Sequence, residues 1–253
     1  MENNLFIHVG KTGGSTIWWQ YAKLFNIRYY IHRDLLQYYH EVLENKRPLL
    51  GYTRYNISNA EFTGWFTIIR NPITRVVSAF NMLKLGNTYG GVKFNHIISE
   101  EDRSYYMNKA FKEFDNASQL LEALSLDKNS IKYKNAIKIL NMHHLAEGYF
   151  YIFSKTLGKN WLRRNAKKAR YIAVIEEPNW FENMYFNFTS NKFQTNVKKL
   201  RKNNHLDKSL TSKAKLNYYN YAKDTEYKVL KEFVDLKLLD KSVYNKYIDF
   251  IYS

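Results

Sequence analysis

The short apolar run Leu5-Phe6-Ile7-His8-Val9 ends in Gly10 and gives way at once to Lys11-Thr12-Gly13-Gly14-Ser15-Thr16. A run so short and so apolar reads as a strand buried on both faces, the kind found inside a parallel sheet. Ile17 to Phe25 continues without a breaker and reads as a helix, with Ser15 or Thr16 near its N-cap. Strand, glycine-bearing turn and helix in that order point to an α/β fold.

The rest of the chain repeats the alternation. Tyr29 to Ile31 suggests a second strand, and Asp34 can cap a helix through Leu35, Leu36, Tyr39 and Val42-Leu43. Leu49-Leu50-Gly51-Tyr52 resembles a strand edge, and Trp65 to Ile69 a buried strand. Pro72 suits the first turn of a helix carrying Val76, Val77, Phe80 and Leu83. Residues 104–145 read as helical, with Leu120, Leu121 and Leu124 on one apolar face and Ile137, Leu140 and Leu145 on another. Ala169 to Ile175 is a further strand, followed by Glu176-Glu177-Pro178 and a helix from Asn179. From Thr211 onward the pattern is one or two amphipathic helices. The expected architecture is a central parallel sheet flanked by helices on both faces, in a single domain spanning 1–253. Three prolines and no stretch of linker composition favour one domain.

The turn after the first strand is an anion site by construction. Glycines let backbone N–H groups approach an oxyanion, and a helix N-terminus adds its own N–H groups and a positive dipole end. Lys11 adds a full charge, and Ser15 and Thr16 add hydroxyls. A Walker A loop requires G-x-x-x-x-G-K-[ST]. Gly10-Lys11-Thr12 matches its last three positions, but its first glycine would fall on Leu5, so the spacing fails.

A second junction reads WFTIIRNPITRVVSAF over residues 65–80. Arg70 closes a strand and Ser78 lies on the helix that follows, so both can converge on one phosphate. Arginine suits bidentate phosphate contact. Ligands of open parallel sheets bind at the C-terminal strand ends, where both motifs fall.

The stretch Phe6 to Thr16 resembles the 5′-phosphosulfate-binding loop of sulfotransferases that use 3′-phosphoadenosine 5′-phosphosulfate (PAPS). Arg70 to Phe80 resembles their 3′-phosphate-binding motif, and the nearest group is the carbohydrate branch that includes the heparan sulfate 2-O-sulfotransferases. Weaker similarity runs through residues 141–148, 171–177 and 194–199. The resemblance implies a three-layer P-loop-like fold and transfer of a sulfuryl group from PAPS to an acceptor hydroxyl, on a carbohydrate or another compound. Adenosine 3′,5′-bisphosphate is then the product, and no metal is required. It implies that Lys11, Thr12, Gly13, Gly14, Ser15 and Thr16 hold the 5′-phosphosulfate, with Lys11 stabilising the departing phosphate. Arg70 and Ser78 would hold the 3′-phosphate, with Arg201 a further candidate contact. The heparan sulfate 2-O enzymes place a catalytic histidine where this chain has Tyr52. His32 is the first candidate for the general base, with His40, Glu41, His143 and His144 as alternatives. His8 lies inside the first strand and reads as a core residue.

The formal net charge of +16 draws the chain toward anions. Residues 159–170 carry six basic residues and no acid, and residues 192–215 carry eight against one Asp. They read either as solvated faces or as the lining of the 3′-phosphate side or of an anionic acceptor cleft. The absence of cysteine excludes disulfides and thiolate metal sites. No apolar stretch approaches the ~20 residues of a membrane span, and the N-terminus lacks a signal pattern, so a cytoplasmic protein is expected. Two other readings stand beside the first. One is a non-catalytic binder of polyanions or nucleic acid, although no specific nucleic-acid motif is present. The other is a kinase-like nucleotide enzyme on the same architecture.

Overall fold

The computed structural model describes residues 3–13, 17, 25, 27–32, 35–40, 49–52, 61–84, 88–89, 92–93, 111–189 and 209–253. Six strands form one sheet: β1 (Asn4–Ile7), β2 (Ile27–His32), β3 (Leu35–His40), β4 (Leu49–Tyr52), β5 (Gly64–Ile69) and β8 (Ala169–Val174), in the order β4-β3-β2-β1-β5-β8. A separate hairpin pairs β6 (Thr88–Tyr89) with β7 (Val92–Lys93).

Strands β2, β1, β5 and β8 run parallel, and β1 lies between β2 and β5. The sheet is not parallel throughout. β3 pairs antiparallel with β2, and β4 antiparallel with β3. The helix expected from Asp34 is therefore replaced by β3 over residues 35–40. Leu35, Tyr38 and Tyr39 have side chains that suit a strand as well as a helix, and the partner strand β2 decides between them. The antiparallel turn-back ends the parallel region on that side.

Side chains alternate across the strands and build a core on each face. Leu5, Ile7, Trp65 and Ile69 pack with Tyr149, Phe153, Trp161 and Phe233. Phe6, Phe66, Ile68 and Ala173 pack with Phe25, Phe181 and Met184 on the other. The Phe6 and Phe66 rings stack at 4.8 Å, and the Trp65 indole donates to the Asn165 carbonyl at 2.7 Å.

Helix α1 (Pro72–Lys84) begins directly after β5, as Pro72 predicts. The region 104–145, expected to be helical, consists in its described part mainly of the helices α2 (Ala117–Glu122), α3 (Ile131–Leu140) and α4 (His143–Ala146), with breaks between them. The break before α3 has a local cause. Asp127 Oδ1 accepts from Asn129 N at 2.8 Å, and Ser130 Oγ caps α3 by accepting from Tyr133 N at 3.2 Å. The later helices are α5 (Trp161–Asn165), α6 (Trp180–Thr189), α7 (Ser212–Ala222), α8 (Lys228–Asp235) and α9 (Lys241–Tyr252). The helix expected over residues 17–25 lies outside the described residues except at Ile17 and Phe25, which are both buried. Among the described residues no helix is long and apolar enough to cross a membrane.

Candidate functional site

The C-terminal ends of β1, β5 and β8 lie side by side, as the register Ile7↔Thr67↔Ile172 requires. Three turns therefore meet at one edge: Gly10–Gly13, Arg70–Asn71 and Ile175–Glu177. In the first turn Lys11 adopts φ 67° and Gly13 φ 86°. Left-handed backbone is uncommon for lysine and costs on the order of 1–3 kcal/mol, a cost that persists where surrounding structure enforces it. Glycine suits the left-handed backbone at position 13, and a Cβ there would lie 2.9 Å from Ile175 Cδ1, which would have to shift. Thr12 is fully buried, and its hydroxyl donates to the Val9 carbonyl at 2.7 Å. Its side chain thus shapes the turn. The Lys11 ammonium reaches along α1 to 3.3 Å from the Met82 sulfur. Ser78 and Met82 are four residues apart and share that face of the helix.

Arg70 joins the two motifs. Its Nη1 donates to the Lys11 carbonyl at 3.3 Å, and its Nε donates to Thr74 Oγ1 at 3.1 Å. Among the described residues Nη2 meets no acceptor, so one edge of the guanidinium remains for a ligand. Arg70 is also where the β5 ladder stops, and a buried tyrosine takes up its backbone. The Tyr149 hydroxyl accepts from Arg70 N at 2.7 Å and donates to Arg70 O at 2.6 Å. Burial pushes that phenol well above its ordinary range, so it remains a donor. Burial also lowers the Arg70 guanidinium from its ordinary value, and Glu176 pulls it back up. An arginine stays protonated through such a shift.

Glu176 closes the arrangement. Its Oε1 accepts from Asn71 N at 2.8 Å and from Thr74 Oγ1 at 3.2 Å, and lies 4.0 Å from Arg70 Nε. Its Oε2 accepts from the Tyr247 hydroxyl of α9 at 3.0 Å. At the start of α1, Pro72 has no N–H and Ile73 N donates to Asn71 Oδ1 at 2.9 Å. The first amides of α1 are thus partly used up locally, and the polar groups left at this junction are mainly side chains.

Lys11, Thr12, Gly13, Arg70 and Ser78 thus gather at one edge of the sheet or on the helix leaving it. Gly14, Ser15, Thr16 and Arg201 lie outside the described residues, as does Glu41. His32 ends β2, beside the β1 turn, where His8 N donates to Ile31 O at 2.9 Å. His40 ends β3, which runs the other way, and falls at the opposite edge. Tyr52 ends β4, three strands from β1. His143 and His144 open α4, whose Leu145 carbonyl accepts from Arg75. His8 is buried and stacks on Phe6 at 5.8 Å.

The basic run 159–170 lies elsewhere. It leads into the N-terminal end of β8, so the length of that strand, roughly 17 Å at about 3.3 Å per residue, separates it from Glu176. It does not line the edge that carries Lys11 and Arg70. The run 192–208 lies outside the described residues. Among the described residues no group of three or more His, Asp and Glu is placed to hold a metal ion.

Sequence reasoning passed over Thr74, Tyr149, Glu176 and Tyr247. Glu176 had a signal, since it follows a parallel strand at the ligand end. Thr74 lies one helical turn after Arg70. Tyr149 and Tyr247 are two of 22 tyrosines and carried none. In comparison with known proteins the chain matches no family model, no curated protein and no solved structure.

Proposed function

We propose that this protein is a sulfotransferase that moves a sulfuryl group from PAPS to an acceptor hydroxyl, with a carbohydrate as the leading acceptor class, on a P-loop-like fold. The observation that carries this reading is the contact between Arg70 and the Lys11 carbonyl, which joins the two anion-binding turns at the C-terminal edge of the parallel strands. Adjacent cationic turns suit a donor that carries anionic groups at both the 5′ and the 3′ position of one ribose.

Sulfuryl transfer, like phosphoryl transfer, proceeds by in-line displacement, so positioning and electrostatic stabilisation dominate. In the proposed reaction the acceptor oxygen bonds to sulfur as the bond from sulfur to the bridging phosphate oxygen breaks. Lys11 stabilises charge growing on that leaving oxygen. The amides of the Gly13 turn, with Gly14, Ser15 and Thr16, hold the 5′-phosphate, and Arg70 and Ser78 hold the 3′-phosphate. His32 takes the acceptor proton, a role that its place at the end of β2 favours over His40. The protein's own cations supply the charge, and no metal enters the scheme.

Ligand-linked stabilisation tests the donor. Adenosine 3′,5′-bisphosphate is expected to raise the melting temperature well above the effect of ATP. Equal or greater stabilisation by ATP would favour the kinase-like reading, and salt-sensitive binding of any polyanion without turnover would favour the non-catalytic one. Lys11→Ala is expected to stay folded and to slow transfer by ~10²–10³ with labelled PAPS in an acceptor screen. Near-normal turnover by the folded variant removes Lys11 from the mechanism.

A further inference from the structure

The Arg70 side chain is held by a relay of hydrogen bonds. Arg70 Nε–H donates to Thr74 Oγ1 at 3.1 Å, and the Thr74 hydroxyl has Glu176 Oε1 at 3.2 Å and the Asn71 carbonyl at 3.1 Å as acceptors. Glu176 is itself fixed from two sides, by Asn71 N at 2.8 Å and by the Tyr247 hydroxyl at 3.0 Å. The carboxylate is 4.0 Å from the guanidinium at its nearest approach, which is long for a direct hydrogen bond. Glu176 therefore acts on Arg70 mainly through Thr74 and through the backbone of the Asn71 turn. With Nε on Thr74 and Nη1 on the Lys11 carbonyl, the guanidinium plane is set and the Nη2 edge is presented. We infer that Glu176 and Thr74 are positioning residues for Arg70: they orient its guanidinium to receive an anion, and they touch neither ligand nor reacting atoms. This rests on the proposed function insofar as the anion is the 3′-phosphate of the donor.

The alternative role for a carboxylate beside an arginine is competition, in which Glu176 occupies Arg70 and an incoming anion must displace it. The two roles predict opposite signs. Positioning predicts that Thr74→Val and Glu176→Ala lower the preference for adenosine 3′,5′-bisphosphate over adenosine 5′-phosphate by about tenfold, with adenosine 5′-phosphate affinity little changed. It also predicts rescue. Thr74→Ser keeps the hydroxyl, Glu176→Gln keeps an acceptor for Asn71 N and Thr74, and both should hold the preference near that of wild type. Competition predicts tighter binding in Glu176→Ala and Glu176→Gln alike, and that result overturns the inference. Equal weakening of both nucleotides also overturns it, because it marks a general loss of structure.

Calorimetry with inorganic sulfate separates this inference from the donor assignment. Sulfate binding should fall in Arg70→Ala and fall similarly in Thr74→Val and Glu176→Ala. If wild type shows no nucleotide preference while sulfate binding depends on Arg70, Thr74 and Glu176, the donor assignment fails and the positioning role stands. If wild type prefers the bisphosphate and Thr74→Val retains that preference, the donor assignment stands and the positioning role fails. Absence of any sulfate binding that depends on Arg70 overturns the positioning role as well. Glu176→Ala risks misfolding because Glu176 ties α1 to α9. Thr74→Val, close to isosteric, carries the test in that case.

Discussion

Two arginine–glutamate pairs begin within five residues of each other at the head of α1, and they have opposite surroundings. Arg70 and Glu176 approach to 4.0 Å, as do Arg75 and Glu226. The first pair has side-chain exposures of 26% and 36%, the second of 1% and 11%. Glu226 is fully engaged by backbone, accepting from Tyr149 N at 2.7 Å and Phe150 N at 3.2 Å, and a Cβ at Gly148 would run into its carboxylate. Arg75 donates to the Leu145 carbonyl at 3.1 Å. Burial works against the Arg75 charge, but Glu226 with Tyr218 and Tyr149 more than offsets it, so its pKa is raised where that of Arg70 is lowered. The contrast shows that pairing alone does not make a site. In the sealed pair both side chains are buried and each is tied to backbone, Glu226 to two amides and Arg75 to the Leu145 carbonyl. In the open pair the arginine keeps a donor edge that meets no acceptor among the described residues.

Perturbing Arg75 should give the largest effect on folding. Arg75→Ala leaves the Glu226 carboxylate buried without its cation and should cost about 3–5 kcal/mol of stability, read from urea denaturation. A loss comparable to that of an exposed pair would erase the distinction drawn here. Tyr149 links the two pairs, with its amide on Glu226 and its hydroxyl on Arg70. Tyr149→Phe leaves Arg70 N and O without that partner, so about 1–3 kcal/mol of stability should be lost, together with some preference for the bisphosphate.

Arg70→Ala should behave in the reverse way. A half-exposed pair contributes roughly 0–1 kcal/mol to folding, so the melting curve should barely move. The preference for adenosine 3′,5′-bisphosphate over adenosine 5′-phosphate should fall about ten- to a hundred-fold, as for a lost charge-assisted hydrogen bond. Equal weakening of both nucleotides would make Arg70 a scaffold residue like Arg75. Ser78→Ala should have the smallest effect, a two- to tenfold loss in the same preference, since a neutral hydroxyl contributes about 0.5–1.5 kcal/mol.

Local pattern made some of this legible in the sequence. The strands at Leu5 and Trp65 are apolar on both faces, and Pro72 marks the start of α1, so the two junctions and Arg70 could be read directly. β3 could not, because Leu35, Tyr38 and Tyr39 tolerate either periodicity and the choice is made by pairing with β2. The buried Arg75 was equally hidden. Its charge predicts exposure, and only the arrival of Glu226 from 151 positions downstream makes the interior tolerable. Glu176 was visible as a strand end but not as a hydrogen-bond hub, because its partners Thr74 and Tyr247 come from distant parts of the chain.

Those distances impose an order on biosynthesis. Asn71 and Glu176 are separated by 105 residues, and Glu176 and Tyr247 by 71. Glu226 follows the Tyr149 amide that it accepts from by 77. A ribosome therefore makes β1, β5 and α1, with the arginines that begin that helix, well before any carboxylate that will hold them. Arg70 at the strand end and Arg75 in α1 are thus made before the glutamates that lie beside them in the fold, Glu176 after β8 and Glu226 in the segment 209–253. Contacts so far apart in sequence also close late and slowly. The hydrogen bonds that orient Arg70 through Glu176 thus cannot be completed until β8 and α9 have both been made.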